Sequence, residues 1–200
     1  LGNPDRINRQ AQRLKLDLSG IEIIDMRADK EQGRRATYAK HLAEKLARKG
    51  YTFQEAYDKM YERNYFGMMM VERGDADAFI TGLYTKYSNT IKVATEVVGV
   101  REGYHTFGTM HIVNSQKGTY YIADTLINRH PDNNFLVDIA RLSANTVEFF
   151  NEKPVMAMIS YSNFGTDEIG SPLKVHEAVE ELHKSCMLII PTWLLTVRCK

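Results

Sequence analysis

Along residues 4–14 the apolar side chains Ile7, Ala11 and Leu14 recur at helical spacing, which predicts an amphipathic helix. Beyond Gly20 the run Ile21-Glu22-Ile23-Ile24 reads as a short strand. Residues 34–49 return to a charged helical pattern that stops at Gly50, a residue suited to the left-handed turn that ends helices. Thr52, with Glu55 three positions on, forms a capping box and starts a helix to about residue 62. Residues 66–72 predict another helix, ended by Gly74, and Ala78-Phe79-Ile80-Thr81 enters a buried strand. Ser88-Asn89-Thr90 can cap a helix through residue 98. The β-rich runs 106–113 and 119–124 flank Asn114-Ser115-Gln116-Lys117-Gly118, a polar loop with Gly before the return strand and so a hairpin signature. Asp132 is placed to cap a long helix to about residue 150. Residues 154–160 are apolar and strand-like, residues 161–172 form a polar loop, and Pro172 opens a helix to about residue 184. Helix and strand alternate without repeats or long linkers, which implies a three-layer αβα domain with a mixed sheet.

A chain of 200 residues buries about 70% of its unfolded surface, so it needs neither a disulfide nor a metal to hold its core. Lys+Arg is 26 and Asp+Glu is 25, a formal net charge of +1. That balance argues against general nucleic-acid binding, which needs a basic excess, but leaves room for a local basic pocket around a phosphorylated ligand. Cys186 and Cys199 are the only cysteines and form no CxxC pair, so a reduced, cytoplasmic setting is expected. No apolar run approaches the roughly 20 residues of a membrane span. The opening Leu-Gly-Asn-Pro-Asp-Arg lacks the apolar core of a signal peptide. Without an initiating Met, the chain is expected to be a segment of something longer.

In open α/β sheets, ligands bind beyond the carboxyl ends of strands. Three such ends carry polar residues: Thr81-Gly82; Asp124-Thr125, with Asn128 a turn later; and Ser160-Tyr161-Ser162-Asn163-Phe164-Gly165-Thr166. The third places hydroxyl and amide donors near one point, with a helix following, and such a loop can hold a phosphate or carboxylate. It equally fits a Ser/Asn loop that caps its own helix. Asp124 either positions a ligand or caps a turn. Lys92, near the start of a helix that follows Thr81, either contacts a phosphate or is solvated. The six histidines form no metal set: His176 and His183 are about 10.5 Å apart along a helix at ~1.5 Å per residue, and His105 and His111 share a strand face without being neighbours. Met68-Met69-Met70 reads as core packing, and Arg34-Arg35 and Arg48-Lys49 as solvated helix charges. P-loop, GxGxxG, GxSxG and HExxH motifs are absent. The residues by themselves support an α/β domain that binds a small, anionic ligand.

The run Arg63-Asn64-Tyr65-Phe66-Gly67-Met68-Met69-Met70-Val71, followed by Gly74-Asp75-Ala76-Asp77-Ala78, resembles the phosphate acetyltransferase family. So do Ala123-Asp124-Thr125 with Asn128 and Ser160-Tyr161-Ser162-Asn163-Phe164-Gly165. The blocks occur in the family's order from about residue 2 to residue 183. The resemblance implies a two-part α/β architecture related to isocitrate dehydrogenases, commonly dimeric. It also implies conversion of acetyl phosphate and coenzyme A to acetyl-CoA and phosphate by direct thiol attack, without a metal. Stand-alone members usually read Ser-Thr-Lys-Gly where this chain has Ser162-Asn163-Phe164-Gly165, and Arg-Pro where it has Lys92-Val93. The version here is similar to the C-terminal domain of bacterial hybrid NADP-dependent malic enzymes, a domain thought to sense acetyl-CoA. The NADP and divalent metal of such enzymes belong to a malic domain outside these residues. On this resemblance Ser160, Ser162, Asn163, Gly165 and Thr166 are expected to contact a phosphate or acyl group. Thr81, Lys92, Asp124 and Asn128 are expected to line the same cleft, with no catalytic residue in the chain itself. A true phosphate acetyltransferase and a structural oligomerisation domain are the alternative readings.

Two departures from the family pattern lead to the expectation of one partial domain over 1–200, of one or two lobes and incomplete at both ends. The family's first strand and helix have no counterpart before Leu1. After the last helix the family continues with Asp-Gly-Glu-Met-Gln, where this chain reads Thr192-Trp193-Leu194-Leu195-Thr196-Val197-Arg198-Cys199-Lys200. One choice among the synonymous codons, CCG-ACC-TGG-TTA-TTG-ACG-GTG-AGA-TGC-AAG, would encode Pro191 through Lys200. Read in a shifted frame they spell Asp-Leu-Val-Ile-Asp-Gly-Glu-Met-Gln. The tail 192–200 is therefore read as a frameshifted stretch of a family member.

Overall fold

The computed structural model describes residues 1–82, 85–161, 167, 169–189 and 194–195. The chain divides into two compact units, Leu1–Gly99 and Val100–Lys200.

The first unit is helical. Helix α1, Pro4–Leu14, is capped by Asn3, whose side chain accepts the Arg6 N–H at 3.1 Å. Helix α2, Gln32–Lys45, runs into a 3-10 turn, Ala47–Lys49, and Gly50 closes it at φ 79°. Helix α3, Phe53–Lys59, starts with the complete Thr52/Glu55 capping box. It is followed by α4, Arg63–Glu72, and α5, Tyr87–Val97. Helix α4 is buried on nearly every side, from Asn64 to Met69, and its residues meet Tyr38 and Leu42 of α2, Met60, and Val93 and Val97 of α5 in one core. Met68 and Met69 belong to that core, as expected, and Met70 packs against it half-buried. Lys45 binds Glu72 of α4 at 2.7 Å and the carbonyls of Val97 and Val98 at the end of α5. One cation thereby ties three helices and sits where the α5 dipole is negative.

Arg35 is not a solvated charge. It is 3% exposed, donates to the carbonyls of Met26 (2.7 Å) and Ala28 (2.8 Å), and lies over the Tyr61 ring at 4.8 Å. Guanidinium planes tolerate burial when carbonyls and aromatic faces replace water, so a charged residue on the inner face of α2 becomes a staple for the chain before it. The strands expected at residues 21–24 and 78–81 form no ladder among the described residues. Both stretches are extended chain with inward side chains: Ile24 is buried and Phe79 packs on the core, while Ile80 is 96% exposed. The Ile24 carbonyl takes the Gly2 N–H instead of a strand partner. A hydrophobic alternation dictates which side chains turn inward, but a strand also needs a neighbour. Helix α5 differs too. Lys86, not Ser88, precedes it, and no side chain caps it.

In the second unit β1, Met110–Ser115, and β2, Gly118–Ala123, form the expected antiparallel hairpin, with Val113 opposite Tyr120 and Met110 opposite Ala123. His105 lies ahead of β1, so it shares no strand face with His111. Asp132 caps α6, Asn133–Phe149, by accepting the Phe135 N–H at 2.8 Å. Helix α7, Ser171–Ile189, carries Pro172 in its first turn, where a missing N–H costs nothing. Val137 and Ala140 of α6 pack on Ala178 and Leu182 of α7, with Met156 and Met158 beside them. The 154–160 run yields a short strand, β3, Val155–Met156, parallel to β4, Leu194–Leu195. The two ladders, one antiparallel and one parallel, are separate, so the continuous mixed sheet expected from the sequence is not formed among the described residues. Helices still pack with strands in α/β fashion. No helix among the described residues is long and apolar enough to cross a membrane.

Candidate functional site

In the first unit the site residues follow from α4. A Cβ on Gly67 would lie 2.2 Å from the Phe79 ring. The glycine therefore lets that ring press onto the helix and fixes the extended run that ends at Thr81. Thr81 Oγ1 donates to Asn64 Oδ1 at 2.8 Å, Asn64 Nδ2 donates to Thr85 Oγ1 at 3.3 Å, and Thr85 Oγ1 lies 3.2 Å from Thr90 Oγ1. Thr81 thus closes a run that forms no strand among the described residues, contrary to expectation, and is held by a buried amide.

Lys92 is exposed on α5, with Nζ 3.8 Å from Glu96. Glu96 is buried and accepts from Tyr65 at 2.5 Å and from Tyr51 at 3.4 Å. Burial, reinforced by the neighbouring carboxylate, pushes both phenols above their ordinary range. The Lys59 ammonium lies over the Tyr65 ring at 4.6 Å. The Lys92 head group reaches solvent while its helix is fixed from behind.

In the second unit Asp124 adopts the left-handed conformation at φ 53°, which Asp tolerates better than most residues. Its N–H bonds the Thr109 carbonyl at 2.8 Å, and its Oδ1 accepts from Asn128 at 2.9 Å. Asn128 also donates to the Phe107 carbonyl at 3.4 Å. These two expected site residues are therefore one hydrogen-bonded turn. Beside it Thr125 Oγ1 and His111 Nδ1 are 2.6 Å apart, and the enclosed Thr109 hydroxyl has no hydrogen-bond partner. Ser160 is half-buried after β3. Ser162, Asn163, Gly165 and Thr166 lie outside the described residues. Among the described residues no group of three His, Cys, Asp or Glu is placed to hold a metal ion.

Asn64, Glu96, Tyr65 and His111 were not singled out for chemistry by the sequence reading. For Asn64 a signal existed: one amide directly before the apolar run Tyr65-Phe66-Gly67-Met68-Met69. A polar group there must find partners or be unstable.

The described site residues are thus Thr81 and Lys92 in the first unit and Asp124, Asn128 and Ser160 in the second. The sequence profile of the phosphate acetyl/butaryl transferase family matches residues 1–187. The chain belongs to this family. It is 33% identical over 184 residues to an NADP-dependent malic enzyme of Escherichia coli (strain K12), covering 90% of this chain and 24% of that protein. It is 31% identical over 180 residues to a phosphate acetyltransferase of Bacillus subtilis (strain 168), covering 90% of this chain and 54% of that one. The EutD phosphotransacetylase from Staphylococcus aureus superposes with a TM-score of 0.74 at 26% identity, covering 98% of this chain and 58% of the other. A phosphotransacetylase from Streptococcus pyogenes shares the fold, with a TM-score of 0.77. The αβα phosphotransacetylase fold is thereby established. The chain spans about a quarter of the malic enzyme and about half of the phosphate acetyltransferase it matches.

Proposed function

We propose that this chain is an acetyl-CoA-responsive regulatory domain of an NADP-dependent malic enzyme, whose oxidative decarboxylation of malate to pyruvate takes place outside these residues. The observation that carries the reading is the 33% identity to a malic enzyme of which the chain matches 24%. The Asn163-Phe164 and Lys92-Val93 pairs support it, because they replace the pattern usual in stand-alone transferases. Ser160, Ser162, Asn163, Gly165 and Thr166 are assigned to the acyl or phosphate group, with Asp124 and Asn128 shaping that part of the second unit. Thr81 and Lys92 are assigned to the coenzyme, the ammonium of Lys92 as a charge for its phosphates. NADP and the divalent metal are assigned to the parent's malic domain, and the protein to the cytoplasm as a self-associating assembly.

A second reading, acetyl transfer between acetyl phosphate and coenzyme A, is favoured by the likeness to the Bacillus subtilis phosphate acetyltransferase. Calorimetric titration of the full-length protein with acetyl-CoA, paired with an assay for CoA-dependent loss of acetyl phosphate, separates the readings. Binding without turnover supports the regulatory domain. Turnover transfers the assignment to the enzyme. A stable oligomer that neither binds nor turns over leaves a structural domain. The shifted-frame reading of 192–200 has its own check, since unshifted DNA encoding the tail as written ends it.

A further inference from the structure

We propose that Asn64 and Tyr65 are positioning residues that fix, from behind, the helix segment carrying Lys92. The proposal rests on the assignment of Lys92 and Thr81 to the coenzyme. The two neighbours reach α5 at opposite ends of that segment. Asn64 acts on its first turn through Thr85 and Thr90. Tyr65 acts one turn beyond Lys92, through Glu96 at 2.5 Å. Lys92 lies between Thr90 and Glu96, so its backbone is bracketed while its ammonium stays in solvent.

The residue types suit this work. An amide holds an acceptor and a donor in one plane. Asn64 therefore accepts from Thr81 and donates to Thr85 at once, joining both sides of the connection that leads into α5. An aspartate could keep both contacts, because the Thr85 hydroxyl can turn and donate to it, whereas a leucine of similar size offers neither bond. The first turn of α5 has no side-chain cap, so its N–H groups lack the usual anchor and the Thr85–Thr90 contact becomes its tether. At the other end a phenol is long enough to reach Glu96 from the core and keeps its proton there, because burial and the carboxylate both oppose its loss. Phe66 and Gly67 complete the motif by filling the core and admitting Phe79. Four consecutive residues thus place Thr81 and Lys92 without any of them needing to touch a ligand.

The test compares the whole chain with N64L, T85V and the double variant. T85V removes the 64–85 link from an exposed position and remains informative if N64L fails to fold. In the ligand-free proteins, amide exchange at residues 86–92 is expected to rise about tenfold while amides of Leu42 and Phe66 stay unchanged. At a temperature where every variant is folded, acetyl-CoA affinity is expected to fall about fivefold, the worth of one hydrogen bond. The double variant should be no weaker than the weaker single, since both cut the 64–85 link. Unchanged exchange with intact acetyl-CoA binding overturns the proposal alone. Faster exchange with unchanged affinity reduces Asn64 to a structural role and also overturns it. A wild-type chain that binds no acetyl-CoA overturns the functional reading and the ligand half of the proposal with it.

Discussion

Tyr38, Tyr65 and Phe66 in the first unit are almost completely shielded from water, whereas Tyr120, Phe149 and Phe150 in the second stand well exposed. The cause is architectural. In Leu1–Gly99, residues of α2, α3 and α5 pack with α4, so a largely apolar helix finds partners on most sides. In Val100–Lys200 a two-stranded ribbon offers two faces, and α6 lies against it through β2. Val113, Tyr120 and Ile122 are left outside. Two-stranded hairpins are marginal by themselves. The family's motifs divide along the same line. Tyr65, Phe66, Met68 and Met69 in the first unit pack its core, and Asp124 with Asn128 in the second forms a polar turn, where binding groups commonly sit.

The largest test of this contrast exchanges one aromatic ring in each unit. Phe66 is 0% exposed and Phe149 is 80% exposed. Phe66→Ala should cost about 3–5 kcal/mol, transfer and cavity terms together, while Phe149→Ala should stay within about 0.5 kcal/mol. Urea denaturation reads both, and similar losses would mean that Phe149 is covered in solution. Next in size, Gly67→Ala drives a methyl into the Phe79 ring. Overpacking of this kind costs about 1–3 kcal/mol, and Phe79→Leu added to it should recover part of the loss. No recovery would show that the ring is not what Gly67 accommodates.

How much of this the sequence could tell follows from the same chemistry. The Thr52/Glu55 box, the Asp132 cap, Gly50 and the hairpin were legible because each is decided within a few residues. Met69 was legible as core because it lies in the unbroken apolar run Tyr65-Phe66-Gly67-Met68-Met69-Met70-Val71. Arg35 was misread because a guanidinium is normally solvated, and its carbonyl partners at Met26 and Ala28 are set by how the chain before α2 folds back. The runs 21–24 and 78–81 showed the right inward residues, Ile24 and Phe79, but a ladder depends on a neighbour that local pattern does not encode. At the candidate site, the Asp124–Asn128 turn was visible as a pair one turn apart. The Asn64–Thr85–Thr90 and Tyr65–Glu96 links were not, because they join α4 to α5 across more than twenty residues.

Tyr65→Phe isolates one of those links. Removing a buried hydrogen bond to a carboxylate should cost about 1–3 kcal/mol near neutral pH. The alkaline behaviour gives an independent sign. Folding raises the Tyr65 pKa above its ordinary value of 10.0, so its contribution is full below pH 10, where the unfolded phenol is also protonated. It is lost as pH rises beyond 10, because the unfolded chain ionises first. Tyr38, raised by burial and by Asp75, adds in the same direction. Urea midpoints at pH 8 and pH 11 should therefore fall less steeply for Tyr65→Phe than for the wild type. An unchanged slope would show that Tyr65 ionises alike in both states.

The smallest effect bears on whether the two units are separate at all. Asp132→Ala removes the Phe135 N–H acceptor at the start of α6 and should cost about 1 kcal/mol, with Asp132→Asn much milder because an amide oxygen also caps. The loss should be local: amides of residues 135–140 should exchange about fivefold faster, and those of Leu42 and Phe66 should not change. That result treats each unit as its own cooperative block, as the difference in their burial implies. Equal acceleration in both would mean that the chain opens as a single block. The exposed aromatic rings of the second unit would then draw their stability from the first unit's core, and the contrast between the units would be one of packing but not of folding.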